Sequence, residues 1–188
     1  MSETGRPGRY QRTTNGLIAS MIVSVLFVIA FVVFRSVFRN DLEVEPEPVD
    51  YLDAVGAVQT TGRDLAYPSE LPAGWIATNV EVSATGQEPS FFLAVLTDDG
   101  RFVGLRQEDD SLEDLLEEHV DESTDEQEPL DVDGSVAPTW EAYADEGGDT
   151  AYAAELGEET VLVYGSASEA DLRTFVELLT TDPVASRG

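Results

Sequence analysis

Side chains able to do chemistry are few in this sequence. It has one histidine, His119, no cysteine, and 38 aspartate and glutamate residues. This composition excludes a thiol nucleophile, a thiolate metal site and the histidine clusters that zinc and copper sites use. His119 follows Leu112 by seven residues on one predicted helix stripe, so it is either a general base beside a carboxylate or a residue at the core edge. Because no candidate nucleophile stands beside it, we predict no catalytic residues and no enzyme; a carboxylate-based hydrolase is the alternative.

Acidic residues are the other candidate ligands, and they crowd the middle of the chain. The run from Asp121 to Glu128 and the following Asp131-Val132-Asp133-Gly134 offer the hard oxygen ligands that Ca²⁺ prefers. Their order does not match an EF-hand loop, and the chain contains no phosphate-binding loop, nucleophile elbow or zinc-binding helix motif. We therefore predict a solvated acidic loop with no metal site and no cofactor. Binding of Ca²⁺ or a small ligand is the alternative function.

The charge of the chain is divided very unevenly. Its formal net charge is −28, but residues 1–40 carry +4 and residues 41–188 carry −32. A surface this acidic repels polyphosphate, which excludes nucleic acid as a partner. The two parts are therefore expected to occupy different environments.

An uncharged apolar run separates these two parts. Residues 17–34 are almost wholly leucine, isoleucine, valine, phenylalanine, alanine and methionine, and eighteen helical residues span about 27 Å, close to a bilayer core. We predict a transmembrane helix over 17–38 that acts as an uncleaved signal anchor; a cleaved signal peptide is the alternative. Arg6, Arg9 and Arg12 place the tail, residues 1–16, in the cytoplasm under the positive-inside rule.

Small residues form one stripe of the predicted span. Gly16, Ser20 and Ser24 recur every fourth residue, an arrangement that lets two transmembrane helices approach closely. They are candidates for helix pairing in a homodimer or with another protein. The acidic, proline-containing segment 39–50 that follows is expected to be an extended linker.

Residues 51–182 are predicted to form one extracytoplasmic α+β domain, followed by a short tail, residues 183–188. Helical spacing begins at Tyr51 and ends near Gly62, and two further helices start after the capping residues Ser111 and Ser168. Six segments have strand patterns: Trp75–Val82, Phe91–Thr97, Arg101–Gln107, Thr139–Ala144, Thr150–Leu156 and Thr160–Tyr164. Their order predicts a mostly antiparallel sheet with packed helices, built from two β-β-β-α units that are either duplicated or unrelated.

Two tryptophans are candidates for interaction. Trp75 and Trp140 each stand at the start of a predicted strand, where an exposed ring can anchor a partner. Core packing is the favoured interpretation, because tryptophan is highly buried on average.

Short motifs in a fixed order resemble a known family. They are Arg9-Tyr10-x-x-Thr13 before the span, Leu71-Pro72-Ala73-Gly74-Trp75, Trp140, and Gly165-Ser166-Ala167 before the last helix. Over nearly the whole chain this layout resembles an uncharacterised family of actinobacterial single-pass membrane proteins, known only as a domain of unknown function. The resemblance implies a membrane anchor with an exported domain and supplies no catalytic residues. We therefore expect a non-catalytic interaction or accessory module of the cell envelope, with the membrane and an envelope protein as partners.

Overall fold

The computed structural model describes residues 47–84 and 87–184, together with six positions between residues 21 and 31. The chain divides into two compact units, Met1–Glu45 and Pro46–Gly188. Each unit is considered by itself.

The described positions of the first unit are all helical. Their large apolar side chains are 50–74 % exposed: Met21, Val25, Phe27, Val28 and Phe31. Over the described positions, no helix is both long enough and apolar enough to cross a membrane. The predicted span over 17–38 falls mostly outside these positions.

The second unit is a mixed α+β domain, which confirms the predicted class. Its helices are α1 (Tyr51–Gln59), α2 (Leu112–His119) and α3 (Glu169–Glu177). Its strands are β1 (Tyr67–Pro68), β2 (Ile76–Val82), β3 (Ser90–Leu96), β4 (Phe102–Glu108), β5 (Thr124–Asp131), β6 (Thr139–Asp145), β7 (Thr150–Leu156), β8 (Glu159–Gly165) and β9 (Leu179–Thr180). The predicted helix after Tyr51 is shorter than expected, because α1 ends at Gln59 and a turn continues to Gly62.

Seven strands form one antiparallel sheet in the order β2-β3-β4-β8-β7-β6-β5. Two meanders, β2-β3-β4 and β5-β6-β7-β8, meet where β4 pairs with β8. The short strands β1 and β9 pair separately, Tyr67 opposite Thr180, and so bring the loop after α1 to the segment after α3.

One face of the sheet carries the main core. Alternate residues of the central strands point to this face, and α1, α3 and the β1-β9 pair cover it. The largest fully buried members are Phe91, Leu93, Leu105, Trp140 and Phe175. The three consecutive residues Val161, Leu162 and Val163 are all fully buried, so β8 is covered on both faces, as expected for a strand at the centre of the sheet.

The opposite face carries a smaller core under α2. Leu115 and Leu116 of this helix pack on Ala151, Leu162 and Tyr164 of the sheet. Only part of this face is covered, and the rest of it is polar around β5, β6 and β7.

Both expected β-β-β-α runs are present, yet they do not superimpose. The sheet runs β4-β3-β2 outward on one side of the β4-β8 boundary and β8-β7-β6 on the other, so duplicated units would carry their helices on the same face. The helices break this relation because α2 packs on one face and α3 on the other. The geometry therefore gives no support to a simple duplication of strands and helix together.

The acidic segment differs from the expected loop. Residues 124–131 form β5, an edge strand paired with β6. Leu130 is buried opposite Trp140 and so holds β5 against β6. The register of this pairing shifts around Pro129. The sequence of this segment does not alternate between apolar and polar residues as most strands do, because acidic and amide side chains occupy both faces of an exposed edge strand.

Candidate functional site

A concavity lies on the partly covered face, between α2 and strands β5 and β6. We name it the α2 groove. It has a volume of about 630 Å³ and is lined by Leu112, Glu113, Leu116, Glu117, Asp121, Glu122, Ser123, Thr124 and Tyr143. This volume is within the usual range for ligand-binding pockets.

Helix α2 is positioned at both of its ends. Ser111 Oγ accepts a hydrogen bond of 3.2 Å from the Asp114 amide, which caps the first turn as the sequence predicts. At the other end the amides of Val120 and Asp121 both donate to the Leu116 carbonyl, at 2.9 and 3.0 Å. These bonds stop the helix and turn the chain towards β5.

The floor of the α2 groove is apolar. Leu116 is 7 % exposed and packs into the smaller core, and half-buried Leu112 packs beside it. Tyr143 contributes its ring from β6, and its hydroxyl donates to Glu141 Oε2 at 2.7 Å. This bond to the carboxylate, together with burial, raises the pKa of Tyr143 to about 12. The hydroxyl therefore stays protonated at neutral pH.

The rim of the α2 groove is acidic. Glu113, Glu117, Asp121 and Glu122 are all exposed. No lining residue is basic. The Asp121 carboxylate accepts a 2.9 Å bond from the Ser123 amide, which shapes the turn between α2 and β5. An apolar floor inside a negative rim suits a cationic, partly apolar ligand.

A polar cluster lies beneath the C-terminal end of α2. The His119 ring stacks on Tyr164 with centroids 5.9 Å apart, and Arg106 donates to Glu108 at 2.6 Å while covering the Phe92 ring. Burial, followed by the nearby Arg106 charge, lowers the pKa of His119 below 6.5. The imidazole is therefore neutral at pH 7.

His119 is largely buried and makes no hydrogen bond to the neighbouring Glu118 side chain. The His119 side chain is 8 % exposed, and its Nε2 lies 4.0 Å from the Glu118 carboxylate, beyond hydrogen-bond range. His119 is thus placed at a core edge, the alternative given from the sequence.

A second, more polar pocket of about 470 Å³ adjoins the N-terminal end of α2. It contains five acidic residues: Asp109, Asp110, Glu141, Glu155 and Glu158. Among the residues that the structure describes, no three acidic or histidine side chains converge as metal ligands. These carboxylates contribute negative potential along this face.

Comparison with known proteins gives one match. A protein-family model described as "Protein of unknown function (DUF4245)" matches residues 9–179. The chain belongs to the DUF4245 family. No curated protein and no solved structure matches it.

Both tryptophans of the DUF4245 chain lie in the main core. Trp75 is 9 % exposed and stacks on Phe175 with centroids 6.4 Å apart. Trp140 is fully buried, and its Nε1 donates to the Ala137 carbonyl at 3.2 Å. Core packing, the interpretation that the sequence favours, is therefore what the structure has at both positions, and neither candidate ring is exposed to anchor a partner.

The N-terminal residues singled out from the sequence are mostly outside the described part of the DUF4245 chain. These are Arg6, Arg9, Arg12, Gly16 and Ser20. Ser24 is described, and it is helical and exposed.

The α2 groove itself was missed by sequence reasoning. Its floor joins α2 to Tyr143 of β6, residues that only the folded sheet brings together. The available signal was the amphipathic character of α2, whose apolar stripe is flanked by acidic residues at Glu113 and Glu117.

Proposed function

We propose that this DUF4245 protein is a single-pass membrane protein whose acidic domain faces the extracytoplasmic side and acts as a non-catalytic interaction module of the cell envelope. The observation that carries this proposal is the exposure of the N-terminal helix side chains. Phe27 is 74 % exposed and Met21 is 70 % exposed. Large apolar groups on a helix are stable in lipid and unfavourable in water.

The sequence around these positions supports insertion. Residues 17–34 carry no charge, and basic residues flank the run on both sides. The excess at the N-terminal side favours a cytoplasmic N-terminus. The acidic domain then lies on the other side of the bilayer.

Uncompensated charge supports an interaction role for the domain. Within the described residues, the arginine–carboxylate ion pairs are Arg63 with Glu159 and Arg106 with Glu108. Most acidic side chains are exposed without such a pair. A strongly charged surface speeds association with a partner of opposite charge.

Membrane anchoring is tested by fractionation of the full-length chain with a C-terminal tag. We expect the protein to resist carbonate extraction and the tag to be cut by protease added to intact cells. Val25→Arg/Val28→Arg should release the protein, because each central arginine costs about 2.5–3.5 kcal/mol on insertion. Val82→Arg is the matched control, since Val82 is an exposed valine of the second unit, 43 % accessible.

The interaction role is tested by affinity purification from native membranes in mild detergent, followed by mass spectrometry. A chain ending after the linker at residue 50 is the control. We expect a stoichiometric partner that requires the acidic domain. Extraction of the wild-type chain by carbonate would overturn the anchoring, and the absence of a domain-dependent partner would overturn the interaction role.

A further inference from the structure

We propose that the α2 groove binds a cationic amphipathic segment of the partner protein, with the apolar side chains of the segment on the groove floor and its lysines or arginines at the rim. This inference rests on the proposed function and names the surface and the partner chemistry that would perform it.

The floor supplies the apolar half of this recognition. Leu112 and Leu116 lie on one stripe of α2, and Tyr143 of β6 lines the groove with them. The groove is open to solvent rather than enclosed, which suits a peptide segment better than a fully buried small molecule. Amphipathic helices bind such apolar grooves through a few anchor side chains.

The rim supplies the charged half. Glu113 and Glu117 are one helical turn apart on α2, and Asp121 and Glu122 continue the negative line past its end. No lining residue carries a positive charge to neutralise them. Lysine or arginine side chains of the partner would pair with these carboxylates. All four carboxylates are exposed, so such pairs can form with little loss of hydration.

The neighbouring surface extends the same potential. Asp109, Asp110, Glu141 and Glu155 line the adjoining pocket on the same face. A cationic segment approaching α2 from this side is therefore attracted before it makes contact.

Helix α3 also has an acidic surface, but that surface differs from the α2 groove. Helix α3 carries Glu169 in its first turn and Glu177 at its end, both exposed. The apolar stripe of α3, however, is fully buried in the main core. This helix offers negative charge without an apolar groove and gives a matched control.

The test uses the full-length protein in nanodiscs of zwitterionic phosphatidylcholine and fluorescent synthetic peptides, read by anisotropy. The first peptide is a helix with lysines on one face and leucines on the other. The second keeps the lysines and replaces the leucines with serine, and the third replaces the lysines with glutamate. We expect binding of the first, weaker binding of the second and no binding of the third, with affinity falling as salt increases.

Two double variants with equal charge change locate the binding. Glu113→Lys/Glu117→Lys should weaken the lysine–leucine peptide about tenfold or more, whereas Glu169→Lys/Glu177→Lys should change its affinity by about twofold or less. Both variants replace an acid at the start and near the end of a surface helix, so their effects on folding are comparable. Near-ultraviolet circular dichroism verifies that each is folded.

If Glu113→Lys/Glu117→Lys and Glu169→Lys/Glu177→Lys weaken peptide binding equally, the assignment to the α2 groove is overturned. The binding is then general attraction between opposite charges. Equal binding of the lysine–serine peptide would exclude a role for the apolar floor. If the native partner purifies equally well with Glu113→Lys/Glu117→Lys and with wild type, this inference fails while the proposed function stands. If no domain-dependent partner is found, the proposed function fails by its own test.

Discussion

Replacing Gln107 with leucine tests the buried hydrogen-bond network that fixes the loop after α1 to the sheet. Gln107 is fully buried on β4. Its Nε2 donates to the Asp64 carbonyl at 2.7 Å and to the Glu159 carboxylate at 2.5 Å, and its Oε1 accepts from the Ala66 amide at 2.7 Å. Arg63 completes the network by donating to Glu159 at 2.9 Å and to the Gln107 carbonyl at 3.0 Å.

The expected loss follows from which groups are left unpaired. Ala66 is fully buried, so water cannot replace the hydrogen bond that its amide loses. Leaving this amide unpaired should cost about 1–3 kcal/mol of stability. The lost bond to the Glu159 carboxylate adds about 1.5–3 kcal/mol. Asp64 is exposed and its carbonyl can bind water instead. Burial of the leucine offsets about 1–2 kcal/mol, which leaves a net destabilisation of roughly 0.5–5 kcal/mol, centred on about 3 kcal/mol.

The measurement is urea unfolding of the full-length protein in mild detergent, followed by fluorescence of the two buried tryptophans. Gln59→Leu is the matched control. Gln59 also bonds two backbone groups, at Asp182 and Val184, but it is only half-buried and neither bond is fully buried. Water can replace the lost bonds, so the loss should be below about 1 kcal/mol. If Gln107→Leu is no more destabilising than Gln59→Leu, the reasoning about unpaired buried groups is refuted.

Three further outcomes are expected. Trp140→Ala should destabilise by about 3–5 kcal/mol in the same unfolding assay, because the ring is fully buried; a loss below 1 kcal/mol would be inconsistent with core packing. Gly165→Ala should lower the free energy of unfolding by about 2–4 kcal/mol, since φ is +145° and a Cβ would collide with the Phe102 carbonyl. Its control is Gly56→Ala in α1, where the space around the glycine is open. This control should raise the free energy of unfolding by up to about 1 kcal/mol. Because burial lowers the pKa of folded His119 below its ordinary 6.5, the unfolded chain takes up the proton first; wild type should therefore lose more stability than His119→Gln as pH falls from about 7 to about 5. Parallel pH profiles of the two proteins would contradict this assignment.

Periodic apolar patterns made much of the domain predictable. Ser111 and Ser168 cap α2 and α3 as their sequence contexts predict, each accepting from an amide three residues later at 3.2 Å. In α3, Leu172, Phe175 and Val176 are fully buried, in keeping with helical spacing. Leu179 continues the same spacing, yet α3 ends at Glu177 and Leu179 enters the core from β9.

Long-range features were not predictable because no local pattern encodes them. The pairing of Tyr67 with Thr180 joins two-residue strands from opposite ends of the domain. The placement of α2 and α3 on opposite faces is not encoded locally either, since both helices have similar amphipathic sequences. The α2 groove depends on the placement of α2 and on β5, whose acidic residues resemble a loop.

The pairing of β4 with β8 also constrains the order in which the domain can fold. Gly104 is opposite Tyr164 in the middle of the sheet, so the first meander has an unpaired central edge until the chain has been made to β8. Such distant contacts slow folding, and an unpaired apolar strand invites association between chains. A chain that stops before Glu159 lacks β8 and would leave β4 unpaired. The finished β5 edge, in contrast, is protected by its acidic residues and Pro129. The domain is therefore most vulnerable to aggregation while it is still incomplete, and its last strands complete the sheet.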